Sequence, residues 1–162
     1  MRIIKLAFFS FLVLFSLLTI FSLFIPSNIH LTKVIAIQGE RDSIFALLQQ
    51  KEQWPRWHPA FMPENDPQQQ GLQQTRVVIT GQTDTTLAVE MAAAGRKPLQ
   101  TGWELHRADS TEPYNVVWYT DFHLSWAPWQ KFSSLFFENT YGAMMEKGLT
   151  NLKKEVEGRE GL

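Results

Sequence analysis

The sequence predicts an α+β fold, an antiparallel sheet covered on one side by a long C-terminal helix and preceded by one transmembrane helix. Three observations carry that expectation. Leu6 to Ile25 form a twenty-residue run without a charge. Four segments between residues 73 and 125 alternate apolar and polar side chains, as strands with one covered and one wet face do. Near the C-terminus Met145, Leu149, Leu152 and Val156 recur at helical spacing, opposite Glu146, Lys147, Lys153, Lys154 and Glu157, which describes an amphipathic helix.

The N-terminal run, "LAFFSFLVLFSLLTIFSLFI", contains fifteen Leu, Ile, Val or Phe residues. As a helix it rises about 30 Å, the thickness of the hydrocarbon core, and its insertion is favourable by on the order of 5 kcal/mol. A cleaved signal peptide is the rival reading. The run is long for one, and no small-residue cleavage site follows Phe24. A pseudopilin-type segment needs a Glu just inside the run, and none is present. Arg2 and Lys5 precede the span while only Lys33 lies close after it, so the positive-inside rule predicts an extracytoplasmic (periplasmic) domain on a single-pass anchor. The expected division is 1–26 anchor, 27–158 domain and 159–162 tail.

Composition excludes several classes. The 162 residues carry 15 basic and 16 acidic side chains, whereas nucleic-acid binding needs a basic surface. There is no Cys, hence no disulfide scaffold, thiol nucleophile or thiolate metal site. An aromatic share of 13% with six Trp suits a sizeable core. No G-x-S-x-G, phosphate loop or G-x-G-x-x-G occurs, so no cofactor is predicted.

Within the domain, "IHLTKVIAIQ" (29–38) reads as a strand. "GERDSIFALLQQ" follows as a short helix, with Asp42 or Ser43 as caps and Ile44, Phe45, Leu47 and Leu48 as its apolar side. "KEQWPRWHPAF" is a helical turn ended by Pro59, and "MPENDPQQQG" (62–71) is a loop. Strands are expected at about 73–81, 84–93, 98–107 and 114–125, joined as antiparallel hairpins. Their apolar faces carry Val77 and Ile79; Leu87, Val89 and Met91; Leu99, Thr101, Trp103 and Leu105; and Val116, Trp118, Thr120, Phe122 and Leu124. A last helix is predicted from Pro128 to Gly158.

Three stretches, "IAIQGERDSIFALLQQKEQWPRWHP", "YNVVWYTDF" and "GAMMEKGLTNLKKEVE", together resemble the START-like, or SRPBCC, helix-grip superfamily over roughly residues 29–157. Bacterial members with an N-terminal membrane span resemble the chain best. The resemblance implies a curved antiparallel sheet gripping the C-terminal helix, with an apolar cavity between them. It also implies a hydrophobic small molecule or lipid as partner. On that fold the inward residues Val89, Met91, Trp103, Leu105, Trp118, Thr120, Phe122, Tyr141, Met145 and Leu149 are the candidate ligand-binding set. Met144, Met145 and Gly148 suit a cavity wall, because methionine adapts to irregular shapes and glycine either leaves room or permits close approach.

Catalytic and metal candidates are weaker. His106 and His123 are possible cross-strand neighbours with Asp121 and Glu104 nearby, but alternation turns that face to water. Trp54 and Trp57 plug the core or gate the cavity mouth. No carboxylate falls on the inward face, so neither a catalytic residue nor a metal site is assigned. The leading expectation is a membrane-anchored binder of an apolar ligand. A cyclase- or dehydratase-like enzyme and a partner-binding module with a filled core are the alternatives.

Overall fold

A computed structural model describes residues 2–68, 70–93, 95 and 97–160. The chain groups into two compact units, His30–Asp121 with Glu138–Leu162, and Met1–Ile29 with Phe122–Phe137. Its helices are α1 (Arg2–Ser22), α2 (Arg41–Gln49), α3 (Trp54–Trp57), α4 (Gln70–Gln74), α5 (Pro128–Ser134) and α6 (Ala143–Glu160). Its strands are β1 (Asn28–Ile37), β2 (Thr75–Gln82), β3 (Thr86–Ala93), β4 (Leu99–His106) and β5 (Tyr114–His123).

The strands form one antiparallel sheet in the order β1-β5-β4-β3-β2. The three hairpins expected of the meander are present, with Leu87 opposite Trp103 and Trp103 opposite Trp118. Alternation is kept on β3, β4 and β5: Leu87, Val89, Thr101, Trp103, Leu105, Val116, Trp118 and Thr120 are buried. It fails on β2, an edge strand with an irregularity between Ile79 and Gly81. There Val78 and Ile79 are both exposed, so Ile79 is not a core residue.

In the larger unit α6 supplies the opposing layer. Met145, Leu149, Leu152 and Val156 are all buried at the predicted spacing. Lys153 Nζ donates to the Ala36 carbonyl at 2.8 Å, and the Gln38 amide donates to Glu157 Oε1 at 3.0 Å, fastening the helix to the end of β1. Gly148 answers the question its neighbours raise. A Cβ there would lie 2.6 Å from Trp118 Cζ3 and 3.0 Å from Pro59 Cδ, so the glycine lets the helix backbone approach a ring and opens no space.

Three local expectations are corrected. The predicted helix 128–158 is two helices, separated by Leu135–Phe137 and a π-helical turn at Glu138–Gly142. Neither Asp42 nor Ser43 caps α2; Glu40 holds the N-cap position, with no capping hydrogen bond from its side chain. The 62–71 loop runs into the one-turn helix α4. In the smaller unit, Ile3–Ser22 is long and apolar enough to cross a membrane, and the side chains of Ile3 to Phe21 are almost all exposed.

Candidate functional site

Four indoles organise the middle of the larger unit. Trp54 and Trp57 come from α3, Trp103 from β4 and Trp118 from β5, and each is at most 1% exposed. Neighbouring ring centres lie 5.6–6.4 Å apart in edge-on or tilted arrangements, the geometry aromatic quadrupoles favour. Trp54 Nε1 donates to the Leu48 carbonyl at 2.9 Å and Trp57 Nε1 to the Leu47 carbonyl at 3.1 Å, so α3 is pinned to the end of α2. Trp118 Nε1 donates to Thr101 Oγ1 at 2.8 Å; that hydroxyl donates in turn to the Tyr119 carbonyl and pairs with Thr120 Oγ1. Thr101 and Thr120, the polar groups expected on the inward face, thus satisfy one another and Trp118.

Beside this cluster lies a partly enclosed cavity of about 410 Å3. Phe61, Met91, Leu99 and Met144 contribute its apolar wall, and His58, Thr75, Lys97 and Tyr141 its polar groups. Of the ten candidate ligand-binding residues, Met91 and Tyr141 line it. Val89, Trp103, Leu105, Trp118, Thr120, Met145 and Leu149 are buried in the core and do not line it. Phe122 is buried in the smaller unit, its ring 4.7 Å from Phe137.

His58 is the residue that sequence reasoning passed over. It follows α3 and stacks on Trp54, four positions earlier, at 5.7 Å; the rings of Phe61 and Trp118 lie 4.8 and 5.1 Å away. The turn carrying it is held by Asn65 Nδ2, which donates to the Pro59 carbonyl at 2.7 Å. Burial disfavours the imidazolium and pushes the His58 pKa down to about 3, so the ring is neutral at pH 7. The Ala60 amide donates to Nδ1 at 3.3 Å, which leaves the proton on Nε2. That Nε2 is buried and has no hydrogen-bond partner among the described residues. A sequence signal existed: His58 stands one helical turn beyond Trp54, on the face that Trp54 buries.

The strand histidines behave differently. The β4–β5 register places His106 opposite Asn115, whereas Asp121 faces Gln100, so His106 and His123 sit at opposite ends of the ladder and form no site. His106 Nε2 lies 3.0 Å from Glu104, and His30 Nδ1 lies 2.6 Å from Asp121. Among the described residues no group of three His, Asp or Glu is placed to hold a metal ion.

A five-stranded antiparallel sheet faced by a long C-terminal helix places the fold in the helix-grip class. The chain belongs to the polyketide cyclase / dehydrase and lipid transport family, which matches residues 28–157. The fold is similar to the di-domain ARO/CYC StfQ from the steffimycin biosynthetic pathway, at TM-score 0.60 and 10% identity over 83% of this chain. This chain spans 53% of that structure's length. It is also similar to XoxI from Bacillus cereus, at TM-score 0.52 and 12% identity over 81% of this chain and 97% of that one. An uncharacterized protein from Bacillus thuringiensis matches at TM-score 0.52 and 12% identity, over 79% of this chain and 98% of that one. No curated protein matches the chain.

Proposed function

We propose that this chain is a membrane-anchored binding protein that holds one apolar small molecule or lipid in the cavity beside the indole cluster. The observation that carries the reading is the cavity itself, about 410 Å3, walled by Phe61, Met91, Leu99 and Met144 and holding a buried neutral imidazole. That volume lies in the range of small-ligand sites, which combine apolar walls with a few orienting polar groups. His58 suits orientation. With its proton on Nε2 and no acceptor among the described residues, the ring has one hydrogen bond to offer, so the fitting ligand carries a carbonyl or hydroxyl oxygen on an otherwise apolar frame. It suits acid–base chemistry poorly, because a base of pKa about 3 is weak at neutral pH. The role read for His58 is therefore to orient a bound ligand.

In this reading residues 1–26 anchor the chain, residues 27–158 bind the ligand, and the lysine and arginine before the span leave the binding domain on the extracytoplasmic side.

The test is native mass spectrometry of residues 27–162 after incubation with an organic extract of membranes, alongside fatty-acid probes. The expected outcome is a one-to-one adduct that Ala93→Trp, which fills the cavity, removes. Protein that stays empty with every probe overturns the reading.

A further inference from the structure

The smaller unit displays a second apolar surface that neither the cavity nor the family match explains. Between Ser125 and Phe137 the side chains of Trp126, Trp129, Leu135 and Phe136 are 72%, 63%, 61% and 64% exposed. The segment is not loosely held. Gln130 Oε1 accepts from both the amide and the hydroxyl of Ser125, at 3.0 and 2.8 Å, and the Ala127 amide reaches Ser125 Oγ at 3.3 Å. A fixed backbone thus presents large apolar groups to the outside.

Two further observations say what covers them. Lys131 is only 6% exposed, and its Nζ donates to the Ile25 carbonyl at 2.8 Å, three residues past the end of α1. A second bond runs from the Leu124 amide to the Ser27 carbonyl at 2.7 Å. The displayed aromatics are thereby tied to the end of the apolar helix, where Leu23 and Phe24 are themselves exposed. Lys131 is also the single charged residue in 125–137, and it is turned inward. The outward face has no charge with which to select a protein partner, and it offers indoles, the side chains that settle where a bilayer's headgroups meet its acyl chains.

We propose that Ser125–Phe137 is a membrane-interface element, with Trp126 and Trp129 seated at the headgroup–acyl boundary beside the emerging end of α1. This rests on reading α1 as a bilayer span, and it adds a second, non-spanning contact that fixes how the smaller unit meets the membrane.

The test uses the full chain reconstituted into phosphatidylcholine vesicles whose acyl chains are brominated either near the headgroup or near the chain ends. Trp54, Trp57, Trp103 and Trp118 are at most 1% exposed, so shallow bromines should quench roughly a third of the indole emission, two of six residues. Deep bromines should quench less, and the double variant Trp126→Phe, Trp129→Phe should lose the quenching. Flotation and resistance to alkaline extraction report separately on the span. A chain that resists extraction while its indoles stay open to aqueous acrylamide and insensitive to bromine overturns the interface element and leaves the anchor standing. It would point instead to a protein partner on this face. Release by alkali overturns the anchor and the interface element with it. Quenching that survives in the double variant also overturns the assignment.

Discussion

Two tryptophan-rich regions of this chain meet opposite fates. Trp54, Trp57, Trp103 and Trp118 are at most 1% exposed, whereas Trp126 and Trp129 are 72% and 63% exposed. The difference is one of partners. In the first group three indole N–H groups have acceptors on the chain, and the fourth, Trp103 Nε1, has none among the described residues and stands among the other three rings. In the second group the backbone supplies rigidity and the rings find no covering layer in their own unit. An aromatic residue therefore reads as core only where a second element brings a facing surface.

The sharpest way to break this comparison is to remove a ring from each side. Trp118 contacts Trp57, His58 and Trp103 and abuts Gly148, so Trp118→Ala should cost about 3–5 kcal/mol of stability. Chemical denaturation followed by near-ultraviolet circular dichroism checks the figure, and a loss below about 1 kcal/mol would mean the ring borders space rather than packing.

His58 gives the next largest effect, and its sign is fixed by its depressed pKa of about 3. Below about 6.5 the unfolded chain takes up a proton that the folded ring refuses, so stability falls as pH falls and is fully present above 6.5. Between pH 7 and 5, before the carboxylates titrate, the loss should be about 2 kcal/mol. His58→Phe should flatten that slope. An unchanged slope in the variant would show that the imidazole is not held neutral by burial.

A smaller loss is expected at Gly148. The added methyl of Gly148→Ala meets the Trp118 ring at 2.6 Å, and overpacking of this kind costs about 1–3 kcal/mol. Alanine's better helix propensity returns up to about 1 kcal/mol. The net loss should be about 1 kcal/mol in the same denaturation measurement. A stabilised variant would show that the ring gives way freely, and that the core near α6 is softer than its burial implies.

How far the sequence could be read follows the same logic of facing surfaces. The period of two on β3, β4 and β5 was legible because both the pleat and the opposing α6 enforce it, and Met145, Leu149, Leu152 and Val156 were legible because each spans one turn of a covered face. Ile79 was not, because β2 is an edge strand whose register shifts between Ile79 and Gly81, and periodicity registers neither. The break at Leu135–Gly142 was hidden because "SLFFENTYG" contains no proline and keeps an apolar rhythm through the interruption. Most of the expected cavity wall lies in core that does not line the cavity, since a face that turns inward can be filled as easily as left open. His58 was missed for a related reason. Its burial depends on rings from β5 and from the following turn, and only its spacing from Trp54 was visible locally.

The least effect is predicted on the exposed side of the comparison. Trp126→Ser and Trp129→Ser remove rings that, at 72% and 63% exposure, lend little to folding. Each should change the unfolding free energy of the full chain in detergent by no more than about 0.5 kcal/mol, against the several kcal/mol expected for Trp118. The substituted serines bring no new buried polar group, and the bonds that hold the segment, from Ser125 to Gln130 and from Lys131 to Ile25, involve neither indole. A loss comparable to that of Trp118→Ala would therefore mean that these rings are covered within the chain itself. It would erase the distinction between the two groups, because both would then owe their position to folding alone.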